Sequence, residues 1–344
     1  MMSFALNPDA NIHLFPVAAL EQMSLKRSHK RPASLHDARV PHVRRRRRSS
    51  EWLRACLGED EPREKSFKGS YSQGPSGHLE ELFVQGELLG KGGNGCIFAG
   101  FRKTDGLPVA IKYVLKSRAN VVMDADGPLP LEVALMKRVN AAPACPYILQ
   151  LIDWFDLPTE YALVLERPHP CQDLSGFCKA QGGVLSEELA HYVLLQVVVA
   201  LWHCQDRGVV HRDIKPSNLL IKTDTLQVKL IDFSCGKLLK DSPFEDFAGS
   251  LSYLPPEWFH DMKYLAGPAT VWSLGVTLFQ LVCGCWPFQR RKKTVHGRFK
   301  FPHWVSADCK RLIRWCLTPS VVYRPTLEKI ALHPWFRDIC LCIL

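Results

Sequence analysis

The residues best able to do chemistry lie in five short segments. Leu89-Gly90-Lys91-Gly92-Gly93-Asn94-Gly95-Cys96-Ile97 is a glycine turn with G-x-G-x-x-G spacing. Such a turn lets backbone N–H groups approach a phosphate with no Cβ in the way. On its own the spacing also fits a Rossmann turn, a loose hairpin or no site at all. A Rossmann turn needs a helix next, whereas Cys96–Phe101 reads as a strand, which fits a hairpin folded over a nucleotide. Lys112 follows in Val109-Ala110-Ile111-Lys112. A lone strand lysine is usually a solvated charge; after this turn it is a candidate phosphate ligand. Glu132, in Leu131-Glu132-Val133-Ala134-Leu135-Met136, is flanked by apolar residues and is the candidate carboxylate partner for that lysine. Further on stand His211-Arg212-Asp213-Ile214-Lys215-Pro216-Ser217-Asn218 and Leu230-Ile231-Asp232-Phe233. Two carboxylates, an amide and a lysine at this spacing suit proton transfer and a divalent cation.

The elements that must position these groups change character along the chain. Leu82–Leu89, Cys96–Phe101, Leu107–Val114, Ile148–Phe155 and Tyr161–Leu165 read as strands, with one amphipathic helix at Pro130–Val139. After about residue 166 the period becomes helical. Ser186–Arg207 opens with Ser186-Glu187-Glu188, good capping chemistry, and Val271–Cys283, Ala307–Leu317 and Leu327–Leu332 continue the pattern. No internal repeat is apparent. The chain has 344 residues, enough for two packed units and a tail. With 47% hydrophobic and 23% charged residues, it is neither fibrous nor wholly disordered.

The charge is unevenly placed. The net charge is +10, and residues 1–80 hold 14 Lys and Arg against 9 Asp and Glu. That segment is rich in Ser, Pro, His and Arg, so it is expected to be a disordered basic tail. Its Arg44–Arg48 run, followed by Ser49-Ser50, is read either as a nuclear-import, nucleic-acid or phosphorylation site, or as inert solvated chain. Thirteen cysteines in a long chain with no secretory leader point to reduced thiols in the cytosol or nucleus. Tyr264–Gln289 carries no formal charge and mimics a membrane span, but its Pro, Ser, Gln and Gly residues favour a helix buried in a large lobe. No membrane association is expected.

With these segments in order, residues from about 82 to 336 resemble a eukaryotic protein kinase domain. The H-R-D-x-x-x-x-N loop at His211–Asn218 and the following Asp232-Phe233 carry the resemblance. It implies an α+β bilobal fold, with a β-rich small lobe over residues 81–166 and a helical large lobe over 167–337. Residues 338–344 would be a short C-terminal tail. It implies ATP and magnesium, and phosphoryl transfer to Ser/Thr hydroxyls of protein substrates. The resemblance casts Asp213 as catalytic base and Lys215 as charge neutraliser. Asn218 and Asp232 become metal ligands, and Lys112 with Glu132 the phosphate-gripping pair. The glycine turn covers the nucleotide, and Glu257 with Arg324 form a structural ion pair. Lys215, two residues after Asp213, and Gly249-Ser250 before Pro255-Pro256-Glu257 resemble the serine/threonine class.

A narrower likeness is to the Pim family, in the hinge Leu165-Glu166-Arg167-Pro168-His169-Pro170 and in Val271-Trp272-Ser273-Leu274-Gly275. Pro168 has no N–H to offer adenine. Adenine would then rest on the Glu166 carbonyl and on Leu89, Ile97, Ala110, Leu165, Leu220 and Ile231. The activation segment, Asp232–Glu257, contains Glu245 and Asp246, either of which is a candidate partner for Arg212, with Ser250 close by. Such a pair implies constitutive activity; the alternative is two solvated acids and a regulatory phosphosite at Ser242. Three departures stand out. Ser234 replaces the glycine of D-F-G, and Asn94 replaces an aromatic at the loop tip. Pro216, Ser217, Gln280 and Cys285 leave Asp173 as the main acid for a basic substrate. The alternative reading is a pseudokinase, a nucleotide-binding scaffold. No dedicated nucleic-acid module is read after residue 82, and a monomer is expected.

Overall fold

The computed structural model describes residues 79–92, 95–124, 127–288 and 291–336, without the side chains of 291–293. The basic tail with Arg44–Arg48, the loop-tip pair Gly93-Asn94 and residues 338–344 lie outside the described residues.

Helix α1, Leu79–Leu82, leads into an antiparallel five-stranded sheet in the order β1-β2-β3-β7-β6. The strands are β1 Phe83–Gly92, β2 Gly95–Arg102, β3 Pro108–Leu115, β6 Leu151–Asp156 and β7 Glu160–Glu166. Successive side chains in a strand point to opposite faces. On β3, Val109 and Ile111 therefore join Phe83, Phe155 and Val164 in a small outer cluster. Ala110, Lys112 and Val114 face the other way, toward helix α2, Leu131–Asn140. Between β3 and α2 runs a short hairpin, β4 Val121–Asp124 with β5 Gly127–Pro130, that the sequence pattern did not indicate.

The large lobe is helical. Helix α3, Leu174–Ala180, precedes α4, Glu187–Asp206, whose first turn is capped by the Ser186 hydroxyl accepting from Leu189 N–H. Helix α5 is Pro256–Asp261, and α6 is Ala266–Cys283. Helix α6 is long and apolar enough to cross a membrane by composition, but 67% of that stretch is buried inside the lobe. Trp272, Val276, Leu278 and Phe279 are almost wholly enclosed, the packing of a core helix. Helix α7 is Arg291–His296, α8 is Ala307–Cys316 and α9 is Leu327–Ala331. Helix α8 lies so close to α6 that a Cβ on Gly275 would sit 2.7 Å from the Cys316 Cβ. Between the lobes run short strands: β8 Cys171–Asp173, β9 Val209–Val210, β10 Leu219–Lys222, β11 Val228–Leu230 and β12 Lys237–Leu238. The ten described cysteines are all free thiols.

One buried charge pair anchors the lower lobe. Arg324 is 5% exposed and meets both oxygens of Glu257 at 2.9 Å. Its other N–H donors reach the carbonyls of Pro268, Thr318 and Pro319, and its guanidinium lies 5.0 Å from the Trp272 ring centroid. Every one of its donors is used, so the desolvation of the charge is offset. Glu257→Ala leaves the arginine charge buried without its carboxylate and is expected to destabilise by ~3–5 kcal/mol. Arg324→Lys is not expected to rescue a two-pronged contact. Denaturant unfolding measures both; an unchanged midpoint for Glu257→Ala would refute the assignment.

Candidate active site

The glycine turn is a hairpin. Gly90 pairs with Ile97, Lys91 with Cys96 and Gly92 with Gly95, so a strand follows the turn and no Rossmann helix does. Behind it, Ala110 and Leu165 are buried, and Ile97, Leu220 and Ile231 pack against the same apolar cluster. These residues are the candidate apolar wall. Leu89 is 45% exposed and lies outside that cluster.

Lys112 lies at the centre. Its Nζ is 2.7 Å from Glu132 Oε1 and 2.8 Å from Asp232 Oδ1. Burial pulls the lysine pKa down, but Glu132 and Asp232 outweigh it and hold the ammonium charged. Glu132 is buried on α2, and desolvation raises its carboxyl in spite of Lys112. Asp232 is less enclosed. Burial pushes its pKa up, Lys112 and a hydrogen bond from the Ser234 side chain pull harder the other way, and it settles at about 2. It is therefore ionised at neutral pH.

The catalytic loop is held from beneath. His211 donates from Nε2 to the Ile231 carbonyl at 2.8 Å and accepts from Asp213 N–H at 3.3 Å. Burial keeps the imidazole neutral by lowering its pKa, which matches this tautomer. Its ring meets the fully buried Phe233 edge to face at 4.9 Å. Asp213 Oδ2 accepts from Lys215 Nζ at 2.7 Å and from Asn218 Nδ2 at 2.9 Å. Asp213 Oδ1 is buried and has no hydrogen-bond partner. Lys215 also donates to Ser250 Oγ at 2.8 Å, which joins the catalytic loop to the activation segment. Gly249 makes that approach possible. Its φ is +80°, and a Cβ there would collide with the Arg212 carbonyl and lie 3.1 Å from Asp213 Oδ1.

Arg212 and Asp232 are non-glycine residues with φ of 67° and 63°. Left-handed backbone at such residues costs on the order of 1–3 kcal/mol each and concentrates at functional sites. Ser234 is not among the positive-φ residues. Asp232 carries the unusual conformation, so a serine in the D-F-G glycine position is accommodated without that strain.

Of the two candidate acids, Asp246 reaches Arg212. The Arg212 Nη1 to Asp246 Oδ2 distance is 2.8 Å, and Lys237 Nζ meets the same oxygen at 2.9 Å. Arg212 also donates from Nε to the Cys235 carbonyl and from Nη1 to the Tyr264 hydroxyl. Burial raises the Asp246 pKa, but hydrogen bonds from Lys237 and Arg212 bring it below the ordinary value. Glu245 is exposed and makes no ion pair among the described residues. Lys237 and Tyr264 were not legible from sequence, because no spacing rule ties either to the catalytic loop. Asp173 is partly used locally. Its Oδ1 accepts from Ser175 and Gly176 N–H and caps α3. Gln280, in a place where the Pim likeness leads one to expect an acid, accepts a 2.5 Å hydrogen bond from the Tyr253 hydroxyl.

The geometry agrees with comparison to known proteins. Residues 83–336 match the protein kinase domain family. The serine/threonine-protein kinase pim-2 of Danio rerio is 42% identical over 269 residues, covering 76% of this chain and 86% of that protein. The serine/threonine-protein kinase prk-2 of Caenorhabditis elegans is 36% identical over 277 residues, 79% of this chain and 62% of that protein. The human SNF-related serine/threonine-protein kinase is 32% identical over 276 residues, but the match spans only 35% of its length. The family works with ATP and, typically, magnesium. With the domain match, the relatives and the assembled site together, the chain belongs to the protein kinase family, in its Pim-like serine/threonine class.

Proposed function

We propose that this chain is a catalytically competent kinase that uses ATP and magnesium to phosphorylate Ser and Thr in proteins. The observation that carries the reading is the buried, unpartnered Asp213 Oδ1. An unsatisfied buried acceptor is costly unless a ligand completes it. A substrate hydroxyl would complete it: its proton passes to Oδ1 as its oxygen bonds the γ-phosphorus, and ADP leaves with the electron pair of the broken P–O bond. Lys215, 2.7 Å from Oδ2, lies ready to balance negative charge on the transferring group.

The donor set fits magnesium. Asn218 uses its Nδ2 on Asp213, so its amide oxygen remains an acceptor. Asp232 is ionised and has Lys112 Nζ and the Ser234 N–H on its Oδ1. Hard cations prefer such oxygen ligands, completed by phosphate oxygens. The metal, when bound, would offset phosphate charge. Lys112 would hold the α/β-phosphates, and Glu166 and the apolar wall the adenine. A scaffold without catalysis is disfavoured because no member of this set is missing.

Activity is proposed to be constitutive. In many kinases the arginine before the catalytic aspartate awaits a phosphate on the activation segment. Here Asp246 supplies that negative charge between Arg212 and Lys237. A cytoplasmic and/or nuclear monomer is the proposed state, with Arg44–Arg48 as a candidate import patch and no membrane or dedicated nucleic-acid module.

Asp213→Ala and Lys112→Met are each expected to lower peptide phosphorylation by ~10²-fold or more while the fold persists. Near-normal turnover in Asp213→Ala would sink the role assignment. Asp246→Asn, in phosphate-free protein checked by mass spectrometry, is expected to lower activity about tenfold, the change that about 1.4 kcal/mol of lost segment order gives. Glu245→Gln serves as the control and should not reproduce the loss. Equal rates for Asp246→Asn and the parent would refute the pairing idea, as would inactivity of the parent protein until Ser242 or Ser250 carries phosphate.

A further inference from the structure

Glu166 ends β7 and begins the hinge between the lobes. Its side chain does not simply face water. Lys229 Nζ lies 2.8 Å from Glu166 Oε1 and 3.1 Å from Oε2. Lys229 is only 7% exposed, which is unusual for a lysine outside a catalytic group. It sits in the middle of β11, three residues before Asp232. On an alternating strand, Val228-Lys229-Leu230 gives no hint that the lysine points inward.

The contact is part of a closed circuit. Glu166 Oε2 also accepts from Gln150 N–H at 3.1 Å, and Glu166 N–H donates to the Gln150 carbonyl at 2.9 Å. The segment before Gln150 is tied to the strand that carries Lys229. Leu149 N–H reaches the Leu230 carbonyl at 3.1 Å, and Leu230 N–H reaches Tyr147 at 2.8 Å. Beyond Leu230, Ile231 N–H bonds to the Asn218 carbonyl at 3.0 Å. One buried ammonium thus joins the last residue of the small-lobe sheet to the strand that delivers Ile231 and Asp232.

We propose that Lys229 is a positioning residue for the nucleotide. It acts through Glu166. By fixing that carboxylate it sets the hinge main chain against the strand bearing Asp232, so the adenine and phosphate ends of the site keep a fixed separation. The demand is sharper here because Pro168 removes a hinge donor, leaving the main chain at Glu166 to orient the base. This rests on the ATP-dependent reading above and adds a residue that the reading did not contain.

The experiment uses the full chain. Parent, Lys229→Met, Lys229→Arg, Glu166→Gln and the Lys229→Met/Glu166→Gln double variant are compared. The readouts are the KM for ATP, the KM for peptide, kcat, equilibrium binding of a fluorescent ATP analogue and thermal midpoint. Lys229→Met is expected to raise the KM for ATP and the analogue Kd about tenfold, with a smaller change in kcat and in the peptide KM. Lys229→Arg should recover most of the affinity. The double variant removes the unpaired, partly buried Glu166 charge, so its thermal midpoint should return toward the parent while the KM for ATP stays high. Glu166→Gln tests the same contact if Lys229→Met does not fold. The proposal is overturned if nucleotide affinity in Lys229→Met, or in Glu166→Gln when Lys229→Met does not fold, stays within about twofold of the parent. It also fails if affinity and midpoint recover together in the double variant, since the role is then only structural. A parent that binds nucleotide but transfers no phosphate would defeat the kinase reading alone, because the binding arm still reports on Lys229.

Discussion

A lysine charge that is 6% exposed has to be answered by carboxylates, and that requirement organises the molecule around Lys112. Its two partners come from different places. Glu132 arrives on α2, and Asp232 arrives from the far lobe, 120 residues along the chain. Bringing them within 2.8 Å fixes the helix against the sheet and the sheet against the large lobe. Removing either carboxylate would leave charge in a low-dielectric space, where an unpaired ion is expensive. The nucleotide site is therefore set by the same electrostatics that hold the lobes together.

Around that centre the chain keeps hydrogen-bonding capacity in reserve where a ligand must fit. Asp213 offers an unanswered oxygen, while its other oxygen is doubly held. Asp232, ionised, presents Oδ1 to Lys112. By contrast, Arg324 has every donor engaged, as befits a group that only has to hold the fold. Satisfied and unsatisfied polar groups thus separate the scaffold from the reactive centre.

Much of this was legible in the sequence. Lys112, Glu132, Asp213, Asn218 and Asp232 were readable through the likeness to a protein kinase domain, and the structure places Glu132 and Asp232 on Lys112 and Asn218 on Asp213. The strand after the glycine turn was readable because Cys96–Phe101 lacks helical period. What escaped has local causes. The β4-β5 hairpin carries Gly127, Pro128 and Pro130, so its strands look like loop. Asp173 reads as a cleft acid, yet an aspartate before Leu174-Ser175-Gly176 is also a helix cap, and the backbone claimed one oxygen. Glu245 and Asp246 are adjacent, so their side chains diverge, and sequence could not say which one turns to Arg212. Lys229 and Lys237 are cations on short strands, the first paired with a residue 63 positions away and the second with Asp246 by no regular helix or strand spacing.

The Asp246 contact also bears on time. A phosphate on an activation segment is an erasable mark, removed by hydrolysis without destroying the polypeptide. A carboxylate at the same arginine is written by translation and persists until the chain is degraded. Where Asp246 performs that task, the duration of a signal is the lifetime of the molecule itself, and a phosphatase has nothing there to cut.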